Sequence, residues 1–295
     1  MSAATDLSAL AALSASLSGL VAAAAPSVVS VHSRRSLASG FAWKPNLIVT
    51  ADEALAEEGE VAVTLEGGRR LAARIAGRDP TTDVALLQVD TSELTPVPVA
   101  GAVPSAGALA VAVGAREGAA VAALGVVVSA GPAWRSLRGG EIDARLELDL
   151  ALRGYAEGGL AIDSAGQAFG MTVFGPRRRV LVIPAETLAR VATQLEAHGK
   201  VARGYLGLAL QPVRLDRQGD LGAMVMSVDA NGPGAKAGIQ QGDVIRAWGG
   251  QPIRSLSEVL RALGPASVGR TVSLTLSRGG EARSLDLVVG ERPER

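Results

Sequence analysis

Most of the chain consists of short apolar runs separated by turn residues. Several runs alternate apolar with polar positions or are rich in β-branched residues, and glycine or proline lies between them, which is typical of β-strands. In chain order the runs cover residues 27–32, 47–50, 60–65, 69–75, 84–89, 108–113, 120–129, 144–148, 160–162, 169–173 and 180–183. So many short strands with almost no helical period predict a sandwich or a pair of β-barrels over residues 26–183.

A helical period is present before this region. Leucines recur at spacings of three and four, at Leu7, Leu10, Leu13, Leu17 and Leu20. That spacing places them on one face of a helix. We therefore predict a helical extension over residues 1–25 that packs on the protein or on another copy of it. The alternative is a frayed N-terminal extension.

A second helical period follows the apolar runs. Pro184 can open a helix at its first position, Leu188, Val191 and Leu195 then share one face, and Gly199 is a stop signal. These features predict a linker helix within residues 184–203 and a domain boundary at residues 200–203.

The remaining residues, 204–293, have the size and the pattern of a unit that folds by itself. A glycine-flanked turn at its start leads into a strand. The later elements are predicted as strands at residues 223–228, 271–277 and 282–289, a one-turn helix at 235–239 and a longer helix at 257–263.

The amino-acid composition excludes several kinds of catalytic and metal-binding site. The chain has no cysteine, which excludes disulfides, thiol catalysis and zinc–thiolate sites, and only two histidines, His32 and His198, which excludes a three-histidine metal site. Lys and Arg number 29 and Asp and Glu number 29, so the balanced charge argues against nucleic acid as a partner. We expect no metal and no cofactor.

The first residues do not have the pattern of an export signal or a membrane span. No Lys or Arg precedes Arg34, and Ser14, Ser16 and Ser18 interrupt the apolar run. We expect no membrane span and a cytoplasmic location for the chain as given, or a periplasmic one if a native signal has been removed.

One loop has the sequence expected around a nucleophile. Between Gly154 and Asp163 a tight turn with two consecutive glycines runs into an apolar strand. A side chain just before those glycines would stand on a sharp turn above the strand, and here that side chain is Glu157. Whether the Glu157 carboxylate takes part in a reaction decides how the function of the chain is interpreted.

The last unit resembles a PDZ domain. The stretch from Pro233 to Ile245, a short helix followed by Gly-Asp-Val-Ile, matches the signature of that family. The resemblance implies that peptides or protein C-termini bind as an added strand, with the terminal carboxylate at the turn Tyr205, Leu206, Gly207 and Leu208. Val259 and Leu263 would wall the side-chain pocket. The alternative interpretation is that these apolar residues are only core.

The whole chain is similar to the HtrA/Deg serine proteases. The segments that carry the resemblance are residues 39–50, 77–87, 125–129 and 195–207. The resemblance implies a mainly β fold, in which a trypsin-like double β-barrel is followed by one C-terminal PDZ domain. It also implies a homotrimer, or an assembly with an active paralogue.

The catalytic positions of that family are occupied differently in this chain. By resemblance, Glu53 stands at the position of the histidine, Asp83 at that of the aspartate and Glu157 at that of the serine, and Tyr155 replaces a glycine of the turn. Serine-protease chemistry needs a hydroxyl, an imidazole and a carboxylate. We therefore predict that the chain is a pseudoprotease and not an enzyme.

The predicted function is peptide or C-terminus binding by the PDZ domain, in the role of a scaffold, regulator or chaperone-like factor. The alternative is a hydrolase that works through its carboxylates. Three like charges in one cleft would raise at least one pKa or hold a cation, and paired carboxylates can perform acid–base hydrolysis.

Overall fold

The computed structural model describes residues 2–34, 36–57, 59–215 and 221–293, with the side chains of residues 2–7 and of residue 257 outside that description. The chain divides into two compact units, Met1–Val201 and Ala202–Arg295. The first unit begins with helix α1, Ser2–Ala24, followed by a 3₁₀ turn at Ala25–Ser27.

Six strands then close into a first barrel. They are β1 (Val28–Ser33), β2 (Ser36–Lys44), β3 (Leu47–Thr50), β4 (Val61–Thr64), β5 (Arg70–Asp79) and β6 (Val84–Val89). Every neighbouring pair is antiparallel, in the order β1-β2-β3-β6-β5-β4. Phe41, Ile48 and Leu86 are fully buried; Phe41 and Leu86 share one face of the sheet and Ile48 lies on the other, because successive side chains of a strand alternate between its faces.

A second six-stranded barrel follows. Its strands are β7 (Leu109–Arg116), β8 (Ala119–Gly131), β11 (Arg145–Asp149), β12 (Leu160–Asp163), β13 (Ala168–Phe174) and β14 (Val180–Pro184), in the order β11-β14-β13-β12-β7-β8. A small hairpin of β9 (Trp134–Arg135) and β10 (Glu141–Ile142) lies between β8 and β11. The predicted double barrel is confirmed.

Helix α2, Ala185–His198, follows the second barrel and contacts strands of both barrels. Leu188, Val191 and Leu195 are fully buried, as their spacing indicates, and Gly199 ends the helix with a left-handed φ of 71°. Pro184 is the N-cap rather than the predicted first helical residue, because it is also the last residue of β14.

The second unit holds a mixed set of short elements around its own core. They are β15 (Gly204–Tyr205), β16 (Leu208–Arg214), β17 (Leu221–Val228), α3 (Pro233–Lys236), β18 (Val244–Trp248), β19 (Gln251–Pro252), α4 (Leu256–Ala262), β20 (Thr271–Arg278), β21 (Glu281–Val288) and β22 (Gly290–Glu291). The main sheet has the order β16-β17-β18-β20-β21, so β16 is an edge strand. Helices α3 and α4 begin before the predicted residues 235 and 257, because Pro233 and the Ser255 cap start them.

Helix α1 packs on the first unit through only part of its length. Leu17 and Leu20 lie against the core, whereas Leu10 and Leu13 are exposed, and the side chain of Leu7 is outside the described part. The segment Ser8–Ser27 has a mean hydropathy of 1.7 and meets the length and composition requirement for a membrane span, as signal sequences and core helices also do. The absence of a membrane span therefore stays a prediction.

Candidate functional site

The loop that carries Glu157 lies where the two barrels meet. A 3₁₀ turn, Gly154–Ala156, leads into it, and the Glu157 N–H donates to the Gly154 carbonyl at 3.2 Å. From strand β2 of the first barrel, the Ser39 N–H donates to the Glu157 carbonyl at 2.7 Å, and the Ser39 hydroxyl donates to the Tyr155 carbonyl at 2.7 Å. The loop of the second barrel is thus fixed to the first barrel.

The glycine after Glu157 is required by the same junction. Gly158 has a φ of 81°, and a Cβ atom there would collide with the Ser39 carbonyl oxygen. The Glu157 side chain points toward strand β13, where its Oε1 accepts the Phe174 N–H at 3.3 Å. The Glu157 carboxyl is therefore half-buried at the mouth between the barrels, with one backbone donor.

Asp83 and Glu53 come from the first barrel and are joined directly. The Glu53 N–H donates to Asp83 Oδ1 at 2.7 Å. Asp83 has a left-handed φ of 58°, a conformation that Asp tolerates better than most residues. The Arg78 guanidinium fixes the loop that carries Glu53. Its Nε donates to Asp52 Oδ1 at 2.5 Å, and its two terminal nitrogens donate to the carbonyls of Leu55 and Ala56.

The hairpin of β9 and β10 reaches from the second barrel to the same loops. Arg138 forms an ion pair with Glu53 at 3.1 Å, and its guanidinium also donates to the Pro80 carbonyl at 3.2 Å. The Ser136 hydroxyl donates to the Thr81 carbonyl. Glu53 therefore has a cationic partner that the sequence did not indicate, because 85 residues separate the two side chains.

Burial dominates the electrostatics of the cleft. It raises the pKa of Asp83 to about 8; the Glu53 N–H opposes the shift, and the nearby carboxylates of Glu53 and Glu157 add to it. Burial also raises the pKa of Glu157, against the opposing effects of the Phe174 N–H and the Arg178 charge. The charges of Glu53 and Glu157 both act on the Asp83 carboxyl, and the convergence of the three residues on one site stays a prediction.

The other titratable candidates lie elsewhere. His32 Nε2 is 2.8 Å from Thr64 Oγ1 within the first barrel, and burial lowers its pKa. His198 is the last residue of helix α2. Within the described ranges, no group of three or more His, Asp or Glu side chains is arranged to hold a metal ion.

The PDZ-like turn lies beside edge strand β16. Gly207 has a φ of 69°, and the carbonyls of Leu206 and Gly207 accept the N–H groups of Gly234 and Asp229. The amides of Leu206 and Gly207 donate no backbone hydrogen bond within the described part of the chain. They therefore remain available to an added acceptor.

The predicted pocket residues divide into two groups. Leu206 and Val259 are buried in the core of the second unit, as the alternative interpretation has it. Leu208 and Leu263 are half-buried, and Leu263 lies against Gly204 and accepts its N–H at 3.0 Å. Helix α4 contacts strand β16, so an apolar wall lies beside the open edge of the sheet.

Two closed antiparallel barrels with a cleft between them, followed by this second unit, define a trypsin-like peptidase fold with a PDZ domain. Residues 38–171 match the family described as trypsin-like peptidase domain, and residues 204–289 match the family described as PDZ domain. PDZ domains are modules that generally bind peptides or protein C-termini.

Comparison with known proteins identifies the type of trypsin-like peptidase that this chain resembles. Two relatives are named probable periplasmic serine endoprotease DegP-like. The one from Pseudomonas putida (strain GB-1) is 31% identical to this chain over 274 residues, and the one from Rhizobium meliloti (strain 1021) is 31% identical over 277 residues. Each alignment covers 88% of this chain and, respectively, 57% and 54% of the relative, so this chain spans little more than half of their length.

Solved structures agree with this assignment. The serine endoprotease from Yersinia pestis is 25% identical with a TM-score of 0.74, over 93% of this chain and 97% of that one. The HtrA-type protease AlgW, solved with a tripeptide, has the same fold. It is 24% identical to this chain with a TM-score of 0.71, and the match covers 94% of this chain and 98% of that one. This chain therefore consists of a trypsin-like protease domain of the HtrA/DegP type and one PDZ domain.

The comparisons overturn one prediction. The absence of serine and histidine at the family's catalytic positions led us to predict that the chain is not an enzyme. That prediction is corrected, because relatives that match both domains are named serine endoproteases, which points to a protease. The prediction rested on the residue types that the serine-protease mechanism requires, and it placed the carboxylate-based hydrolase second.

Proposed function

We propose that this chain is a peptide-binding protein of the HtrA type, whose PDZ domain captures the C-termini or extended apolar segments of other proteins. The observation that carries the proposal is the pair of Leu206 and Gly207 amides, which have no backbone acceptor among the described residues and adjoin edge strand β16. A peptide carboxylate would accept both amides, and its chain would pair with β16 beside Leu263. The bound protein could then be held, regulated or protected.

The test compares peptides with a free and an amidated C-terminus on the full chain by fluorescence anisotropy. We expect the free carboxylate to bind at least tenfold more tightly. Gly207→Val should abolish this preference, because a Cβ there meets Gly232 Cα at 2.9 Å. Gly238→Val is the matched control, since Gly238 also has a positive φ but open space around it. Equal affinity for both peptides would contradict the proposal.

A second function is favoured by the carboxyls of the cleft. We propose that the barrels hydrolyse peptide bonds through Asp83 and Glu157, the two groups whose pKa values are raised at the junction. At neutral pH Asp83 is largely protonated and would donate its proton to the substrate carbonyl. Glu157, in its carboxylate form, would take a proton from water as the water oxygen bonds to the carbonyl carbon. On collapse the C–N bond would break, Glu157 would give its proton to the departing amine, and the former carbonyl oxygen would return its proton to Asp83.

Turnover of an unstructured protein, followed by mass spectrometry of the products, tests this function. We expect Glu157→Ala and Asp83→Asn each to reduce the rate at least a hundredfold. Glu147→Gln, which removes a carboxylate that pairs with Arg179, is the control and should retain activity. No cleavage by the unmodified chain, or unchanged cleavage by both cleft variants, would reject the mechanism while leaving the peptide-binding proposal intact.

The assembly is a proposal as well. The family resemblance suggests a homotrimer or a mixed assembly with a paralogue, and exposed apolar residues of α1 and β8, among them Leu10, Leu124 and Val128, would supply a contact surface. Light scattering of the purified chain gives the oligomeric state directly. A monomer at micromolar concentration would contradict the homotrimer.

A further inference from the structure

Two arginines are stacked on aromatic rings that adjoin Glu157. The Arg116 guanidinium lies 5.2 Å from the ring centroid of Tyr155, two residues before Glu157. The Arg178 guanidinium lies 4.3 Å from the ring centroid of Phe174, whose N–H is bound by the Glu157 carboxyl. We call Arg116 and Arg178 the ring-stacked pair.

The ring-stacked pair lies near one carboxyl, since the Arg178 charge acts on Glu157. Within the described residues neither side chain forms an ion pair, whereas their neighbour Arg179 is matched with Glu147 at 3.3 Å. Both Arg116 and Arg178 are exposed. Stacking occupies the flat face of a guanidinium but leaves its N–H donors free at the edge, where they fit a carboxylate in a bidentate geometry.

The backbone also holds one of these groups in place. Arg178 has a left-handed φ of 57° and follows Arg177 with a φ of 59°, within a tight hairpin closed by the Gly175 N–H to the Arg179 carbonyl at 2.8 Å. Two successive residues in this conformation are uncommon outside glycine, and such positions concentrate at functional sites. The turn and the stacking on Phe174 together limit the orientations open to the Arg178 side chain.

We propose that the ring-stacked pair, Arg116 and Arg178, binds an acidic side chain of a polypeptide that lies in the cleft beside Glu157. This inference rests on the proposed entry of polypeptide into the cleft and names its specificity. A preorganised donor loses little side-chain freedom on binding, so an Asp or Glu gains a charge-assisted contact with each guanidinium that it reaches.

The charge distribution favours an acidic polypeptide over a nucleic acid. The formal net charge of the chain is zero, and the carboxyls around this site are those of Glu53, Asp83 and Glu157. A polyphosphate backbone needs a run of cations and would meet these carboxyls. A single carboxylate needs no run of cations and meets fewer like charges than a polyphosphate, the Glu157 carboxyl being the nearest.

The experiment uses peptides that are acetylated and amidated at their ends, so that the PDZ turn has no terminal carboxylate to bind. We measure their affinity for the full chain by fluorescence anisotropy, with an internal Asp or its Asn counterpart. We expect the Asp peptide to bind at least tenfold more tightly at low salt, and the preference to decrease as salt is added. Arg116→Gln with Arg178→Gln should remove the preference.

The chain offers a matched control. Arg145 is also stacked on a ring, 5.2 Å from the centroid of Trp134, but that ring does not adjoin Glu157. Arg145→Gln should keep the Asp preference. The charge-reversed variant Arg178→Glu should prefer a peptide with Lys at the position of the Asp. This result would test recognition of the peptide charge even if the double glutamine variant loses stability.

Several outcomes would overturn the inference. The first is equal affinity of the unmodified chain for the Asp and Asn peptides. The second is a loss of the Asp preference in Arg145→Gln as large as that in the double variant. The third is binding of single-stranded DNA or anionic vesicles through Arg116 and Arg178 when the chain does not discriminate between the two peptides. Because the peptides lack a free C-terminus, each of these results leaves the proposed PDZ function untouched.

Discussion

At the scale of single residues, Asp83 predicts how stability depends on pH. Its folded pKa of about 8 lies above the unfolded value near 3.8, so between these two pH values the folded chain keeps a proton that the unfolded chain loses. The free energy of unfolding should therefore fall as pH rises from about 4 to about 8, by at most ~1.4 kcal/mol per pH unit from this group.

The variant Asp83→Asn isolates this effect. Asn keeps an oxygen for the Glu53 N–H and tolerates the left-handed backbone, but it carries no charge. In urea titrations from pH 4 to pH 9, we expect the variant to gain stability relative to the unmodified chain up to pH 8 and then to level off. Asp90→Asn, which removes an exposed carboxylate, is the control. A pH-independent difference for Asp83→Asn would disprove the raised pKa.

The sequence identified the cleft carboxyls but not what surrounds them. Glu157 stood out because two glycines follow it, and its position on a turn depends only on local chain geometry. Ser39 contacts the Glu157 loop across 118 residues of sequence, and Arg138 pairs with Glu53 across 85 residues. Their contacts exist because two barrels meet, which a local pattern does not encode.

At the scale of elements, helix α2 is the part whose packing is best predicted from the sequence. Its buried positions follow a 3.6-residue period and contact β5 and β6 of one barrel and β13 and β14 of the other. Leu188→Ala should lower the free energy of unfolding of the first unit by about 2–5 kcal/mol, because the side chain is fully buried.

Calorimetry or urea unfolding measures this loss. The control is Thr193→Ala on the exposed face of the same helix, for which a change of at most about 0.5 kcal/mol is expected. Similar losses for the two variants would mean that α2 is not held by its apolar face.

Strand β2 shows where the apolar pattern was insufficient. It was absent from the runs of the first barrel because Ser36, Ser39 and Gly40 interrupt it, yet Ser39 and Gly40 are buried. A Cβ at Gly40 would meet Val49 O at 2.8 Å, and the Ser39 hydroxyl accepts the Ala115 N–H at 2.9 Å. Close packing within the first barrel requires a glycine at position 40, and the contact with the second barrel is made by a hydroxyl at position 39, so neither position depends on hydrophobicity.

At the scale of the whole molecule, the two units have separate cores. Leu86 belongs to the core of the barrels and Ile245 to that of the PDZ domain, and both side chains are fully buried. The change of hydrophobic period at residues 184–199 marked the end of the barrels, because an interior helix and a barrel strand bury different faces. Units with independent cores generally unfold in separate transitions.

We therefore expect Leu86→Ala and Ile245→Ala each to lower only the stability of its own unit, by about 2–5 kcal/mol, with additive effects in the double variant. Tryptophan fluorescence distinguishes the units during urea unfolding, since Trp43 and Trp134 lie in the first unit and Trp248 in the second. Replacing Trp43 and Trp134 by Phe leaves Trp248 as the only fluorescent reporter of the PDZ domain. If Leu86→Ala shifted the Trp248 transition as far as it shifts the barrel transition, the units would unfold as one, and peptide binding at the PDZ domain would be thermodynamically coupled to the stability of the barrels.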